Sequence, residues 1–521
     1  MEFLKVLLDG VPLDDNIKMD QLKKLYYQMS PEEQDMMLHN IKGCVGDDVS
    51  EGIYLLTYLL YLIKDEKVIK IIYDIINSRN IDSLSVLNYI YQIGSYVFSN
   101  TIANNEGYSR RFFYEDEAYT AAVNDVIKHI HEEKLKYIPY ERRNRKKVII
   151  TARSILAESH APTMIMCNLY NYLQQLGYDV IILVGYMGKV QEEKRNDVYN
   201  YAVDNTLVET TQLFQTDHYG LCVNVCNIAF TTQGFYQELA MAVDYVRGVN
   251  PEFIIDVGGM NIIADVCSKF TTVCSYPCVG TPVHSAAHVV IRCFHSEGEE
   301  ERLYNSFLSE NQRVYELVTA NELCATGNAD NNDIMSKSGS KFVILVVGNR
   351  LDSEVSQEFM DVLNLVLDDE PDVYVEFIGK CDKLQHSLKT HRNSGRYIFK
   401  GFVKNLQNEM LAGDLFVNPQ RRGGGTSAML AIKNRTPVVT LGNCDVALWG
   451  EGFVCAKLQQ YPEIIKRYIH DEEFMKAQKA YCVEQDKLFN HVDSVGNVKR
   501  FCEQLRKYIL TEESYGTDSV Q

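Results

Sequence analysis

In the stretch NPQRRGGGTSAMLAIKNRTPVV, Asn418–Val439, two arginines, three glycines and two hydroxyls stand directly in front of apolar, helix-spaced text. Arg421 and Arg422 carry fixed positive charge, Gly424 and Gly425 let another group approach the backbone closely, and Thr426 and Ser427 offer hydroxyl donors. That combination suits the holding of phosphate. DLFVNP before it reads as a strand and SAMLAIKN has helical spacing, so the glycines form a strand-to-helix turn at the ligand-binding edge of a parallel sheet. A helix starting near Ser427 would present unpaired N–H groups and the positive end of its dipole to an anion. The plainer alternative is a tight turn whose Ser or Thr caps the helix.

Other residues could share that edge. The run FVILVVG ends in Gly348-Asn349-Arg350-Leu351, placing Asn349 and Arg350 beside the glycine turn. Arg350 could reach a ligand or pair with Asp352 or Glu354. Phe402, in FKGFV after a further strand, could meet a flat base or simply pack. In the earlier half, VIITA leads into RSILAESHAPT, where His160 has a ring that titrates near neutrality and could accept or orient a proton. Glu158 is the competing base, and capping of the next helix is the structural alternative for His160. His284 and His288 are four apart and could share a helix face, but no third ligand and no HExxH pattern accompanies them, so no metal site is expected.

These residues need elements to position them. Residues 1–140 carry apolar residues at helical spacing, as in EGIYLLTYLLYLIKDEKVIKIIYDIIN, and Ser30-Pro31-Glu32-Glu33 has the form of a helix start with a capping box. An all-α N-terminal module is expected there. From 141 to 325 strands alternate with helical text, beginning with VIITA and VIILVGY and ending with the weaker HVVIRCF. ERRNRKK, Glu141–Lys147, reads as a solvated basic face beside the first strand. The polar Ala325–Lys341 reads as a linker. A second alternation fills 340–510 and closes with helices that could cross back to the first domain.

Composition narrows the function. The 521 residues are 46% hydrophobic and carry a formal charge of −18, which argues against a binder of nucleic acid or anionic membranes. No segment reaches the roughly twenty apolar residues of a bilayer span, and the acidic N-terminus does not read as an export signal. The 14 cysteines include Cys222/Cys226 and Cys274/Cys278, read as buried free thiols in a reducing, cytoplasmic compartment.

The order GNRL, EFIGK, F-x-G-F-V, D-L-F-V-N-P, glycine-rich turn, helix and T-P-V-V resembles the nucleotide-sugar domain of GT-B glycosyltransferases over about Val343–Gly442, with a looser likeness over Val148–Phe294. The resemblance implies two Rossmann-like doubly wound domains facing a cleft. It places the donor diphosphate on Gly424, Gly425, Thr426 and Ser427, its charge balance on Arg350, and the base near Phe402. The Glu-x7-Glu of retaining members would fall on Arg422 and Leu430, so both glutamates are missing. Gly-Gly-Thr-Ser-Ala-Met looks more like the inverting protein glycosyltransferases, of O-GlcNAc transferase and bacterial adhesin N-glycosyltransferase type, which place an acidic residue on the ribose where Leu430 stands. A UDP-sugar donor, a polypeptide or glycan acceptor and no further cofactor are what this likeness implies. Homo-oligomers are compatible with it.

Overall fold

The computed structural model describes residues 16–44, 49–100, 105–156, 160–278, 283–294, 298–320, 341–403, 406–442 and 444–518. Glu158 and all but the last residue of Ala325–Lys341 lie outside them. The chain divides into two compact units: Met1–Val97 with Ile102–Glu316 and Arg500–Gln521, and Phe98–Thr101 with Leu317–Lys499.

The first unit begins with helices α1 (Asn16–Gln28), α2 (Pro31–Cys44), α3 (Val49–Ile63), α4 (Glu66–Ser78), α5 (Ser83–Asn100) and α6 (Asn105–Lys128). Helix α2 starts as its sequence predicts: Ser30 N–H donates to Glu33 Oε2 at 2.8 Å and Glu33 N–H to Ser30 Oγ at 3.2 Å, which satisfies two otherwise unpaired donors. Helix α3, the most apolar, is buried from Ile53 to Ile63 on most of its surface; no described helix is long and apolar enough to cross a membrane.

Then follow β1 (Asn144–Ala152), α7 (Ala161–Gln175), β2 (Asp179–Tyr186), α8 (Gly188–Glu193), β3 (Gln212–His218), β4 (Leu221–Ala229), α9 (Phe235–Val249), β5 (Pro251–Val257), α10 (Ile262–Cys267), β6 (Val273–Tyr276), β7 (Val289–Arg292), α11 (Gly298–Ser306) and β8 (Arg313–Glu316). The sheet runs β3-β4-β2-β1-β5-β6-β7-β8, parallel except for the β3/β4 pair. Continuous apolar runs such as VIITA are what helices on both faces demand.

The second unit contains β9 (Phe342–Val347), α12 (Leu351–Glu354), α13 (Gln357–Asp369), β10 (Val373–Ile378), α14 (Asp382–Leu388), β11 (Tyr397–Gly401), α15 (Leu406–Ala412), β12 (Leu415–Val417), α16 (Gly425–Lys433), β13 (Val438–Leu441), β14 (Val454–Cys455), α17 (Tyr461–His470) and α18 (Glu472–Asn490). Its sheet, β11-β10-β9-β12-β13-β14, is parallel throughout and has the Rossmann order 3-2-1-4-5-6. The order reverses between β9 and β12. Helix α19 (Ser494–Asp518) closes the chain, its residues from Arg500 onward counted in the first unit.

Three local expectations change. Arg143 in the basic run is buried, donating to Ile138 O, Glu252 O and Thr272 Oγ1, because β1 draws its neighbour into the wall of the sheet. Cys222 is exposed on β4, which is paired at its outer side only with the edge strand β3. His284 and His288 share no helix: Ser285 Oγ and Ala286 N–H both donate to Asp265 Oδ1, which takes up backbone that a helical turn would need.

Candidate active site

In an open α/β sheet ligands settle outside the carboxyl ends of the strands where the order reverses. In the second unit that place lies between Gly348–Arg350, after β9, and Asn418–Gly425, after β12. Backbone keeps this edge bare. Gly379 has φ +115°, and a Cβ there would stand 2.1 Å from Gly348 O; a Cβ on Gly348 would stand 2.2 Å from Arg421 Nη1. Gly424 has φ +105° and would bring a Cβ within 2.7 Å of Arg421 Nη2. Only glycine fits these three positions without rearrangement.

Arg421 is a keystone of the loop. Its side chain is buried, and it donates from Nε to Asn418 Oδ1 at 2.8 Å, from Nη1 to Glu354 Oε2 at 2.6 Å and from Nη2 to Val347 O at 2.6 Å. Asn418, also buried, donates to Thr440 Oγ1 and accepts the Tyr461 hydroxyl on its carbonyl. The guanidinium thus ties the ends of β9 and β12 together and does not extend outward. Arg422 is half-buried and its carbonyl accepts from Asp445 N–H at 2.7 Å.

Arg350 precedes α12 and gives Nε and Nη2 to Glu354 Oε1 at 3.0 and 2.9 Å, with 44% of its side chain exposed. Glu354 therefore holds one arginine on each carboxylate oxygen. Burial would raise its pKa, but the Arg421 and Arg350 guanidiniums outweigh it and hold the carboxyl below the usual range. Asn349 is exposed, and Phe402, just past β11, is 69% exposed.

Helix α16 begins earlier than the sequence suggests, with left-handed Gly424, which has no side chain to cap with, as its N-cap residue. Thr426 and Ser427 are half-buried, and their hydroxyls make no hydrogen bond among the described residues. A helix start leaves its early N–H groups without partners inside the helix. Two wall residues that sequence reading passed over lie beside Gly425: a Cβ there would come 3.1 Å from Asp445 Cβ and 3.6 Å from Trp449 Nε1. The chain's single tryptophan was the signal available for this position. Leu430 is buried in an apolar cluster under the helix, so it offers nothing to a ribose.

In the first unit His160 is the N-cap residue of α7, without a cap bond from its ring to the backbone. Its Nδ1 lies 3.0 Å from Thr163 Oγ1, which accepts Leu156 N–H at 2.9 Å. Burial pushes the imidazole down to about 4, so it is neutral at neutral pH. In one neutral tautomer Nδ1 donates to Thr163 Oγ1 and in the other it accepts the hydroxyl proton, with Nε2 then the donor.

No protein-family model and no curated protein matches the sequence. Among solved structures, the chain is similar to an O-GlcNAc transferase of Thermobaculum terrenum: 12% identity, 98% of each chain covered and a TM-score of 0.49. It is also similar to the pneumococcal O-GlcNAc transferase GtfA, in complex with UDP and GlcNAc, at 10% identity over 69% of this chain and 99% of that one, TM-score 0.47. For a trehalose 6-phosphate synthase of Burkholderia multivorans the values are 9% identity, 72% and 99%, and 0.49.

Of the expected donor-site residues, the second unit brings Asn349, Arg350, Arg421, Arg422, Gly424, Gly425, Thr426 and Ser427 to one sheet edge, the switch point. Phe402 follows β11, at the outer side of that sheet, two strands from β9. His160 belongs to the other unit.

Proposed function

We propose that the chain is a glycosyltransferase that moves a hexose or HexNAc from a UDP-sugar to an acceptor. The observation that carries this reading is the α16 N-terminus, which starts at left-handed Gly424 and bears Thr426 and Ser427, at the switch point of a Rossmann-ordered sheet. A leaving diphosphate there would meet N–H groups already fixed in direction, plus the hydroxyls of Thr426 and Ser427. Arg350 supplies mobile positive charge by exchanging Glu354 for a phosphate oxygen, while Arg421 keeps the loop in shape. The sugar is displaced by the acceptor as the diphosphate departs, with charge stabilised by dipole and guanidinium. His160, neutral at neutral pH, would orient the acceptor through a hydrogen bond. Glu158 keeps the role of candidate base.

The acceptor we favour is a polypeptide, on the likeness of Gly424–Met429 to the loop of inverting protein glycosyltransferases; a surface polysaccharide or lipid-linked glycan is the alternative. A cytoplasmic site of action goes with this reading. One observation favours a different class, a donor-binding partner of another transferase without turnover: Leu430 is packed in the core where those enzymes carry an acid.

A panel of nucleotide sugars decides between them. UDP-glucose or UDP-GlcNAc should raise the melting temperature; a ligand at a hundred times its Kd adds about 2.7 kcal/mol. Arg350→Ala should abolish that shift, and slow donor hydrolysis by the wild type should accompany it. No shift with any nucleotide refutes donor binding, and binding without hydrolysis or transfer favours the silent partner. His160→Ala should lower turnover and leave nucleotide affinity nearly intact; unchanged turnover removes His160 from the mechanism.

A further inference from the structure

The first unit has its own switch point, between β1 and β5, and a small pocket opens there. Arg153 follows β1, Met260 and Asn261 follow β5, and α5 adds Asn88 and Tyr91. Its free volume is about 30 Å³. That is room for the tip of a ligand, on the order of two water molecules.

What faces this space is a set of donors with nothing to donate to. Arg153 lies over the Tyr91 ring, 4.3 Å from its centroid, and makes no hydrogen bond among the described residues. The nearest carboxylate oxygen, Asp204 Oδ1, is 3.9 Å from Nη2 and is already held by the Tyr91 hydroxyl at 2.7 Å; its Oδ2 takes Gln191 Nε2 at 3.1 Å. Asn88 is 2% exposed and its Nδ2 has no partner. Its orientation is set by Gln92, which accepts Ala202 N–H on Oε1 and donates Nε2 to Ala202 O, both at 2.7 Å, so that Nε2 faces Asn88 Oδ1. Asn261, also 2% exposed, caps Ile263 through Oδ1 and is engaged with the buried Asp256 carboxylate.

The side-chain acceptors lining this wall are therefore committed, and the donors of Arg153 and Asn88 are not. A hydroxyl ligand would need an acceptor for its own proton. An anion would enter next to Asp204, which already compensates Arg153. A carbonyl oxygen needs donors alone and brings no net charge. Leu87, Met187 and Met260 add apolar surface for what the carbonyl carries. We propose that this pocket binds the carbonyl of a secondary amide, either an N-acyl group or a peptide bond, through Arg153 and Asn88. The site lies wholly in the first unit and does not depend on the donor reading of the second.

Saturation-transfer NMR on the full chain tests it, with N-acetylglucosamine against glucosamine, and N-acetylalanine methylamide against alanine as the peptide arm. Each amide is expected to bind with a millimolar Kd and each comparison compound to give no transfer. Binding of the sugar alone or the peptide alone supports the site and identifies the source of the amide. Asn88→Asp keeps the acceptor for Gln92 but replaces the donor with a carboxylate oxygen, and should weaken binding about tenfold. Arg153→Lys, which keeps the charge and loses the planar fork, should weaken it about fivefold. Arg350→Ala, in the second unit, should leave it unchanged. Failure of both amides to bind overturns the proposal. So does binding that survives Asn88→Asp and Arg153→Lys in folded protein, or that disappears in Arg350→Ala.

Discussion

Replacing Arg421 with methionine isolates the interaction on which the second unit's loop depends. Methionine fills much of the volume but removes the three donors that reach Asn418 Oδ1, Glu354 Oε2 and Val347 O at 2.8, 2.6 and 2.6 Å. Glu354, whose side chain is 3% exposed, keeps Arg350 on Oε1 and loses its other partner. Breaking one side of a buried pair costs about 3–5 kcal/mol, and the remaining arginine places the expectation near 3. With a urea slope of about 2–3 kcal/mol per molar, the midpoint should fall by about 1 M or more. Trp449, the chain's single tryptophan, lies in the second unit, edge-on to Phe489 with ring centroids 4.8 Å apart, so its fluorescence follows that unit's unfolding. Adding Glu354→Gln to Arg421→Met removes the stranded charge and should recover about 2 kcal/mol, a coupling that appears in the double-mutant cycle. A midpoint within about 0.2 M of wild type for Arg421→Met, or losses that simply add, would refute the role given to this pair.

Two more outcomes follow from the geometry. Gly424→Ala puts a Cβ at φ +105° within 2.7 Å of Arg421 Nη2; it should cost about 1–3 kcal/mol by Trp449 fluorescence and remove the nucleotide-induced thermal shift. In the first unit, burial pushes His160 and His288 down to about 4, so their native sites reject a proton that the unfolded chain takes up. Stability should fall as pH drops from about 6.5 to 4, with about 2 kcal/mol from each after allowance for partial exposure. For His284 burial acts to lower the pKa, but Asp116 and Glu115 raise it overall; its contribution is present below about 6.5 and lost as pH rises through its raised value. Urea midpoints followed by circular dichroism should therefore decline on both sides of neutrality, and His288→Gln should flatten the acid side.

The sheets were legible because strands buried on both faces must be written as unbroken apolar text, and VIITA, VIILVGY and FVILVVG are such runs. The turn between β12 and α16 was legible from its glycines and the spacing beyond them. Which arginine does what was not. Arg421 and Arg350 look alike in sequence, and only the return of α12, which bears Glu354, to the loop decides that Arg421 is buried, a contact across 67 positions. Likewise the N-terminal helices gave no sign that they join the first sheet, since the joining bonds, Tyr119 to Asp265 and Glu115 to His284, span 146 and 169 positions. His284 was read as helix-spaced because local text cannot reveal a carboxylate that takes the Ser285 hydroxyl and the Ala286 backbone N–H.

Both switch points solve one electrostatic problem in an acidic chain. On the readings proposed above, an arginine at each must stay charged near the ligand without collapsing onto the nearest carboxylate. In the first unit Asp204 is occupied by Tyr91 and Gln191, which leaves Arg153 at 3.9 Å and unbonded. In the second, Glu354 is shared: Arg421 holds one oxygen from a buried position and Arg350 the other from a half-exposed one. The sharing means that Arg350 can leave Glu354 without stranding a buried charge, because Arg421 remains. Under the proposed donor role, a loop built on one arginine would face a choice between holding its shape and meeting a diphosphate, and the second arginine removes that choice.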